Sequence, residues 1–148
     1  MKEFVDIEII GSHLRFDDNE PIAVNISGNH YIDGNVHKIT YVEEAPGFDE
    51  IILNTIIVKK NRVEIIKEGV VNSRMVFANN TRYKTIYDTP FGRLDMETET
   101  KLLLIDMSED EINVYVEYIL YIEGDRASNS KMRIHIVEAV DRVDKKGG

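Results

Sequence analysis

The sequence predicts an all-β protein built as a single antiparallel up-and-down barrel of about 8–10 strands. Three observations carry this. Apolar residues recur with period two through most of the chain, short turn signals cut it into hairpins, and no segment has the 3.6-residue spacing of an amphipathic helix. The alternation is clearest where Leu94, Met96, Thr98, Thr100, Leu102 and Leu104 share one face while Arg93, Asp95, Glu97, Glu99 and Lys101 share the other. In the next run Ile112, Val114, Val116, Tyr118, Leu120 and Ile122 alternate with Asn113, Tyr115, Glu117, Ile119 and Tyr121. At strand rise these runs approach roughly 40 Å, too long to lie flat in a small domain, so they must coil around a barrel.

The turns follow in order. Asp33-Gly34 is a type I′ signal between segments 22–31 and 36–43. Residues 44–49, with Pro46-Gly47, read as the one longer loop. Lys60-Asn61 separates 51–59 from 62–67, and Asn79-Asn80 separates 72–78 from 82–88. Thr89-Pro90-Phe91-Gly92 is a tight turn in which proline fixes φ and glycine is free to take a positive one. Ser108–Asp110 and Glu123–Arg126 close the last two hairpins. One domain is expected over residues 1–142, with a flexible tail over 143–148.

Composition excludes more than it identifies. The 148 residues carry 18 basic and 27 acidic side chains, a formal net charge of −9, and a pI near 4.9. A chain of this length buries enough apolar surface to fold without staples. Zero cysteines exclude disulfides, thiol nucleophiles and cysteine–zinc sites. The acidic balance argues against nucleic acid as a partner. Arg74, Arg82, Lys84 and Arg93, interleaved with Tyr83 and Tyr87, are the only local hint of such a surface. The charged opening Met1-Lys2-Glu3-Phe4-Val5-Asp6 is not expected to act as a signal peptide, and no apolar run is long enough to cross a membrane as a helix. A cytoplasmic location is expected.

With the strands placed, a set of residues stands out in order: Tyr41-x-Glu43, Thr55, Lys67-x-Gly69, Phe77, Tyr87-x-Thr89-Pro90-Phe91-Gly92, Met96-x-x-x-Thr100 and Tyr118. Together they resemble the YwiB-like family of bacterial proteins, over nearly the whole chain. The resemblance implies a calycin-like, lipocalin-like barrel. It implies no activity, because that family has none assigned. Family members tend to carry arginine where this sequence has Lys67, which would exchange a bidentate anion contact for a point charge. The Gly-x-Trp signature of true lipocalins is absent, since the chain has no tryptophan.

Motifs for chemistry are few. His13, His30, His37 and His135 have no ligand spacing and read as independent histidines; cross-strand pairing over the Asp33-Gly34 turn can bring His30 and His37 together, but no carboxylate is compelled to join them, so no metal site is expected. Asp106-x-Ser108-x-Asp110 lacks the glycine of a calcium loop and reads as a solvated acidic hairpin. No phosphate loop or nucleophile elbow occurs, and neither Ser12-His13 nor His37 with Glu43 sets a nucleophile beside a base. No catalytic residue and no cofactor is assigned.

The informative residues are polar ones whose parity puts them on apolar faces: Tyr41, Glu43, Lys67, Tyr87, Thr100 and Tyr118. Buried charge is costly unless paired, so Glu43 is expected to meet Lys67. These six are the candidate contacts for a small, partly apolar ligand inside the barrel. A solid barrel serving as an interaction scaffold is the alternative, and an enzyme with Glu43 as general base the third reading. Leu103, Ile105, Tyr115, Ile119 and Tyr121 share outward parity, with Leu103 expected opposite Tyr115 and Lys101 opposite Glu117. That apolar patch predicts a homodimer.

Overall fold

The computed structural model describes residues 1–11, 22–45 and 47–140. Ser12, His13, Pro46 and the tail expected from residue 143 lie outside the described residues. Ten strands follow one another: β1 (Phe4–Gly11), β2 (Ile22–Asp33), β3 (Val36–Glu44), β4 (Ile51–Val58), β5 (Val63–Gly69), β6 (Ser73–Phe77), β7 (Arg82–Thr89), β8 (Gly92–Met107), β9 (Glu111–Ile122) and β10 (Asp125–Glu138). No helix occurs among the described residues. Every strand pairs antiparallel with its chain neighbour except β6 with β7, so the hairpin expected about Asn79-Asn80 does not form a ladder, and β1 pairs with β10. The sheet therefore curls into a nearly closed barrel whose seam lies between β6 and β7.

At that seam the ladder shrinks to one bridge, in which Asn72 and Asp88 exchange two backbone hydrogen bonds of 2.9 Å. Other groups cover the remaining strand edge, as an unpaired edge requires. The Thr98 hydroxyl donates to the Val76 carbonyl at 3.2 Å. β7 ends at Arg82, opposite Glu99. Beyond it the Asn79 amide takes over, accepting from the Leu103 N–H at 2.8 Å and donating to the Leu103 carbonyl at 3.3 Å.

The same stretch of β8 corrects the expected outer patch. A bulge lies between Thr100 and Leu102, so Leu104 rather than Leu103 pairs with Tyr115, Leu102 pairs with Glu117, and Met107 pairs with Ile112. One extra residue reverses the side-chain parity after it. Leu103 is buried in the core, Ile105 packs against the core, and Leu104 is exposed. Lys101 sits in the bulge and pairs with Glu99 at 3.0 Å instead of Glu117. Ile119 keeps outward parity but is buried, flanked by Glu99 and Asn129 in the ladder. Tyr115 and Tyr121 remain half-buried under Arg133 and Arg82, and their hydroxyls donate to Glu117 at 2.6 Å and Glu99 at 2.8 Å. That face is a polar lattice, not an apolar patch.

The inward residues form one main core, with Ile7, Ile39, Ile56, Phe77, Val114 and Ile136 among its most buried members. A smaller cluster of Ala45, Ile52 and Val71, with Phe48, Val70 and Tyr87 against it, caps one end. The first hairpin turns on Gly34-Asn35, one residue later than the sequence signal placed it. The Thr89 hydroxyl holds the later Pro90-Phe91 turn, donating to the Gly92 carbonyl at 2.9 Å and accepting from the Phe91 N–H at 3.1 Å.

Two glycines have distinct physical reasons to be glycine. Gly92 has φ +135° with open space around its α-carbon, so only backbone strain opposes a side chain. Gly69 has φ +144°, and a β-carbon there would lie 2.4 Å from the Ile51 carbonyl oxygen. Gly92→Ala is therefore expected to cost about 1 kcal/mol, and Gly69→Ala about 3 kcal/mol, because a clash adds to the strain. Urea denaturation of the two variants checks this, and equal midpoints would refute the distinction.

Candidate functional site

One row of inward side chains crosses β3 to β6. Tyr41 pairs with Asn54, Asn54 with Lys67, and Lys67 with Ser73, and all four are buried. Glu43 lies two residues along β3 from Tyr41, on the same face. Its Oε1 accepts from Lys67 Nζ at 2.7 Å and from Asn54 Nδ2 at 3.0 Å. Lys67 Nζ also donates to Asn54 Oδ1 at 2.8 Å. The three side chains thus bond one another in a closed triangle. The Lys67 and Glu43 side chains are 8% and 11% exposed, so the pair is largely out of water and its charges depend on one another. Burial, and secondarily the Glu43 charge, pushes the Tyr41 phenol far above its usual range, so it stays a neutral donor.

Glu43 and Lys67 meet as the alternation required. Asn54 was not among the expected site residues, although it shares parity with Ile52 and Ile56, and the test that selected Lys67 selects it as well. Tyr87 packs against both the Ala45–Ile52–Val71 cluster and the main core, joining this end to the interior.

Thr100 and Tyr118 form a separate group. They pair across β8 and β9, and Tyr118 pairs with Ser130 of β10, so three hydroxyl side chains make one inward row. Thr100 and Tyr118 are each 1% exposed. The Thr100 hydroxyl has no hydrogen-bond partner, and Ser130 lies beside the Tyr118 hydroxyl. Ser130 also meets Ser128 at 2.8 Å. Burial pushes the Tyr118 phenol up to about 12, opposed by Ser130. Its ring packs on Phe77 with centroids 4.9 Å apart. Phe77 pairs with Val63, four residues from Lys67 along β5 and so roughly 13 Å away. The six candidate residues therefore divide between two places in the interior.

The histidines correct another expectation. His30 and His37 are not independent: Nε2 of His30 lies 2.8 Å from Nδ1 of His37. The β2–β3 register sets His30 opposite Ile39 and His37 opposite Ile32, a diagonal pair on one face. Burial lowers the pKa of both rings. For His30 the His37 charge and then the N-terminal charge add to this, against weaker bonds to the Lys2 and Met1 backbone; for His37 the N-terminal charge adds. A shared N–H···N bond requires at least one neutral ring. No group of three His, Asp or Glu side chains placed to hold a metal ion occurs among the described residues.

A family model described as "Domain of unknown function (DUF1934)" matches residues 7–134. The chain belongs to this family. The "Uncharacterized beta-barrel protein YwiB" of Bacillus subtilis (strain 168) is 25% identical over 116 residues, covering 78% of this chain and 80% of that protein. The "Crystal structure of ywiB protein from Bacillus subtilis" superposes with a TM-score of 0.72 at 19% identity, covering 93% of this chain and 91% of that one. This likeness shows a shared barrel fold. No described helix of this DUF1934 protein is long and apolar enough to cross a membrane.

Two outcomes follow for this DUF1934 barrel. Glu43→Leu strands the Lys67 charge and should destabilise by about 3–5 kcal/mol, while adding Lys67→Met should recover much of that loss. A double-mutant cycle in urea that gives simple additivity would remove the coupling. For the histidine pair, a folded pKa below 6.5 means the unfolded chain binds more protons at mildly acid pH. The pair's contribution is thus full above 6.5 and is lost as pH falls through the lowered folded value. His30→Leu should flatten the decline in urea midpoint between pH 7.5 and pH 5.5, and an unchanged decline would sink the idea.

Proposed function

We propose that this barrel binds one small, partly apolar molecule in its interior, at the row formed by Thr100 and Tyr118. The observation that carries this reading is the cross-strand pair of buried hydroxyls, with no partner at Thr100 and only Ser130 beside Tyr118. Leaving such groups unsatisfied costs roughly 1–3 kcal/mol each, so proteins rarely keep them without use. Phenol and alcohol together offer two donors to one acceptor group, such as a carbonyl or carboxyl oxygen. Val116, Leu120 and Phe77 supply apolar walls beside them. The barrel then works as calycin-type barrels do, enclosing a single ligand. A cytoplasmic setting fits the cysteine-free composition.

The Glu43–Lys67–Asn54 triangle favours a second reading for its own end of the barrel. Its members satisfy one another, as in a filled core that serves as a scaffold. Lys67 and Asn54 both donate to Glu43 Oε1, which holds the carboxylate as part of this network, and no catalytic role is assigned to it.

Native mass spectrometry of protein purified from its own cells tests the proposal. The wild-type chain should carry a retained small molecule above its 17.0 kDa mass, and Thr100→Val with Tyr118→Phe should lose it while remaining folded. Wild type found only at the bare chain mass, or equal retention by the double variant, would overturn the reading. Once emptied, the double variant should be at least as stable as wild type, because it no longer buries the unpaired Thr100 hydroxyl.

A further inference from the structure

The outer face of β3, β4 and β5 carries the apolar surface that β8 and β9 do not. Val42 pairs with Leu53 and Ile51 with Glu44 on the outward parity, and Val42, Ile51 and Leu53 are 46%, 55% and 39% exposed. Ile57 and Ile66 continue the same outward rows and are half-buried. At the margin Tyr31 is exposed opposite Lys38. These side chains form one contiguous area rather than scattered exposure, which marks an interaction surface.

The charges around this area are sorted by end. Where β3 finishes and β4 begins stand Glu44, Glu50 and Glu68. At the opposite end stand Lys38, Lys59 and Arg62, with Arg74 beside them. Lys59, Arg62 and Arg74 converge on Glu64, which is outward but buried beneath them. The face is thus apolar in the middle, acidic at one end and basic at the other.

We propose that a second copy of this chain docks on this face, related by a two-fold axis lying in the interface and running across the strands. The charge pattern selects both the occupant and the axis. A rotation about that axis sets the acidic end of each copy over the basic end of the other, while the apolar centres meet. A two-fold along the strands would set like charges together. One self-complementary patch suffices for a closed dimer, and the sheets pack about 10 Å apart. The patch offers on the order of 500 Å² per copy, near the lower limit for a specific interface, so the dimer is weak and forms in the micromolar range. The axis brings Lys38 of each copy toward Glu44 of the other, making two equivalent ion pairs.

Sedimentation equilibrium between 5 and roughly 500 µM tests this, a range set by the expected weak affinity. Wild type should shift from the 17.0 kDa monomer toward twice that mass, and Leu53→Lys should remain monomeric with an unchanged circular dichroism spectrum. Lys38→Glu and Glu44→Lys should each weaken self-association about tenfold, since each sets two like-charged pairs in its own homodimer. Mixed in equal amounts, the two variants should recover association near the wild-type level, because a heterodimer restores opposite charges at both contacts. A wild-type monomer throughout the range would overturn the proposal. So would a dimer indifferent to Leu53→Lys, or a mixture no tighter than either variant alone.

Discussion

The architecture depends on how the sheet closes between β6 and β7. Everywhere else consecutive strands pair in antiparallel ladders that follow from local alternation. At the seam β6 is only five residues long, and on the side toward β7 a single bridge, from Asn72 just before it to Asp88, continues the sheet. The Asn79 amide and the Thr98 hydroxyl supply bonds that backbone pairing does not. The bulge beside Thr100 belongs to this same arrangement. It lets one edge of β8 stay paired with β9 while the other edge passes from β7 to the Asn79 turn.

The interior answers the cost of buried polarity in two ways. At the end capped by Ala45, Ile52 and Val71, a carboxylate, an ammonium and an amide bond one another, and each charge makes the other tolerable. In the Thr100–Tyr118 row no charge is present, and the Thr100 hydroxyl stays without a partner. One end therefore has the chemistry of a structural network, and the other keeps hydrogen-bonding capacity unused. The outer surface follows a similar logic, since arginines over Tyr115 and Tyr121 turn exposed aromatic area into polar contact on β8 and β9, whereas β3 to β5 leave theirs open.

Most of the fold was legible because alternation and turn chemistry are local. The ten strands, the Glu43–Lys67 pairing and the positive φ of Gly92 all came from residue types and parity alone. The bulge did not, and the reason is specific. Leu102, Leu103, Leu104 and Ile105 are all apolar, so a reversal of parity inside that run leaves no mark in the pattern. The outer patch was therefore drawn on side chains that turn inward. The histidine pair was partly legible. A turn on Asp33-Gly34 sets His30 directly opposite His37, and the observed turn one residue later makes them diagonal neighbours still within reach. The division of the six candidate residues into two groups was also out of reach, because parity tells which face a residue takes but not its height along the barrel axis.

Height is what connects the seam to these hydroxyls. Thr100 shares its inward face with Thr98, whose hydroxyl reaches across the seam to the Val76 carbonyl, and Tyr118 packs on Phe77, the last residue of β6. The Thr100–Tyr118 row thus lies against the line where the fewest backbone bonds hold the barrel shut. Local opening in a sheet is cheapest where the fewest hydrogen bonds and packed contacts must be given up. Separating β6 from β7 sacrifices one bridge, whereas parting β9 from β10 sacrifices a ladder of paired residues running from Asp125 to Val137. The part of the interior with unmet hydrogen-bonding capacity is therefore also the part nearest the least costly way in, while the ion-paired end is closed by its own apolar cap.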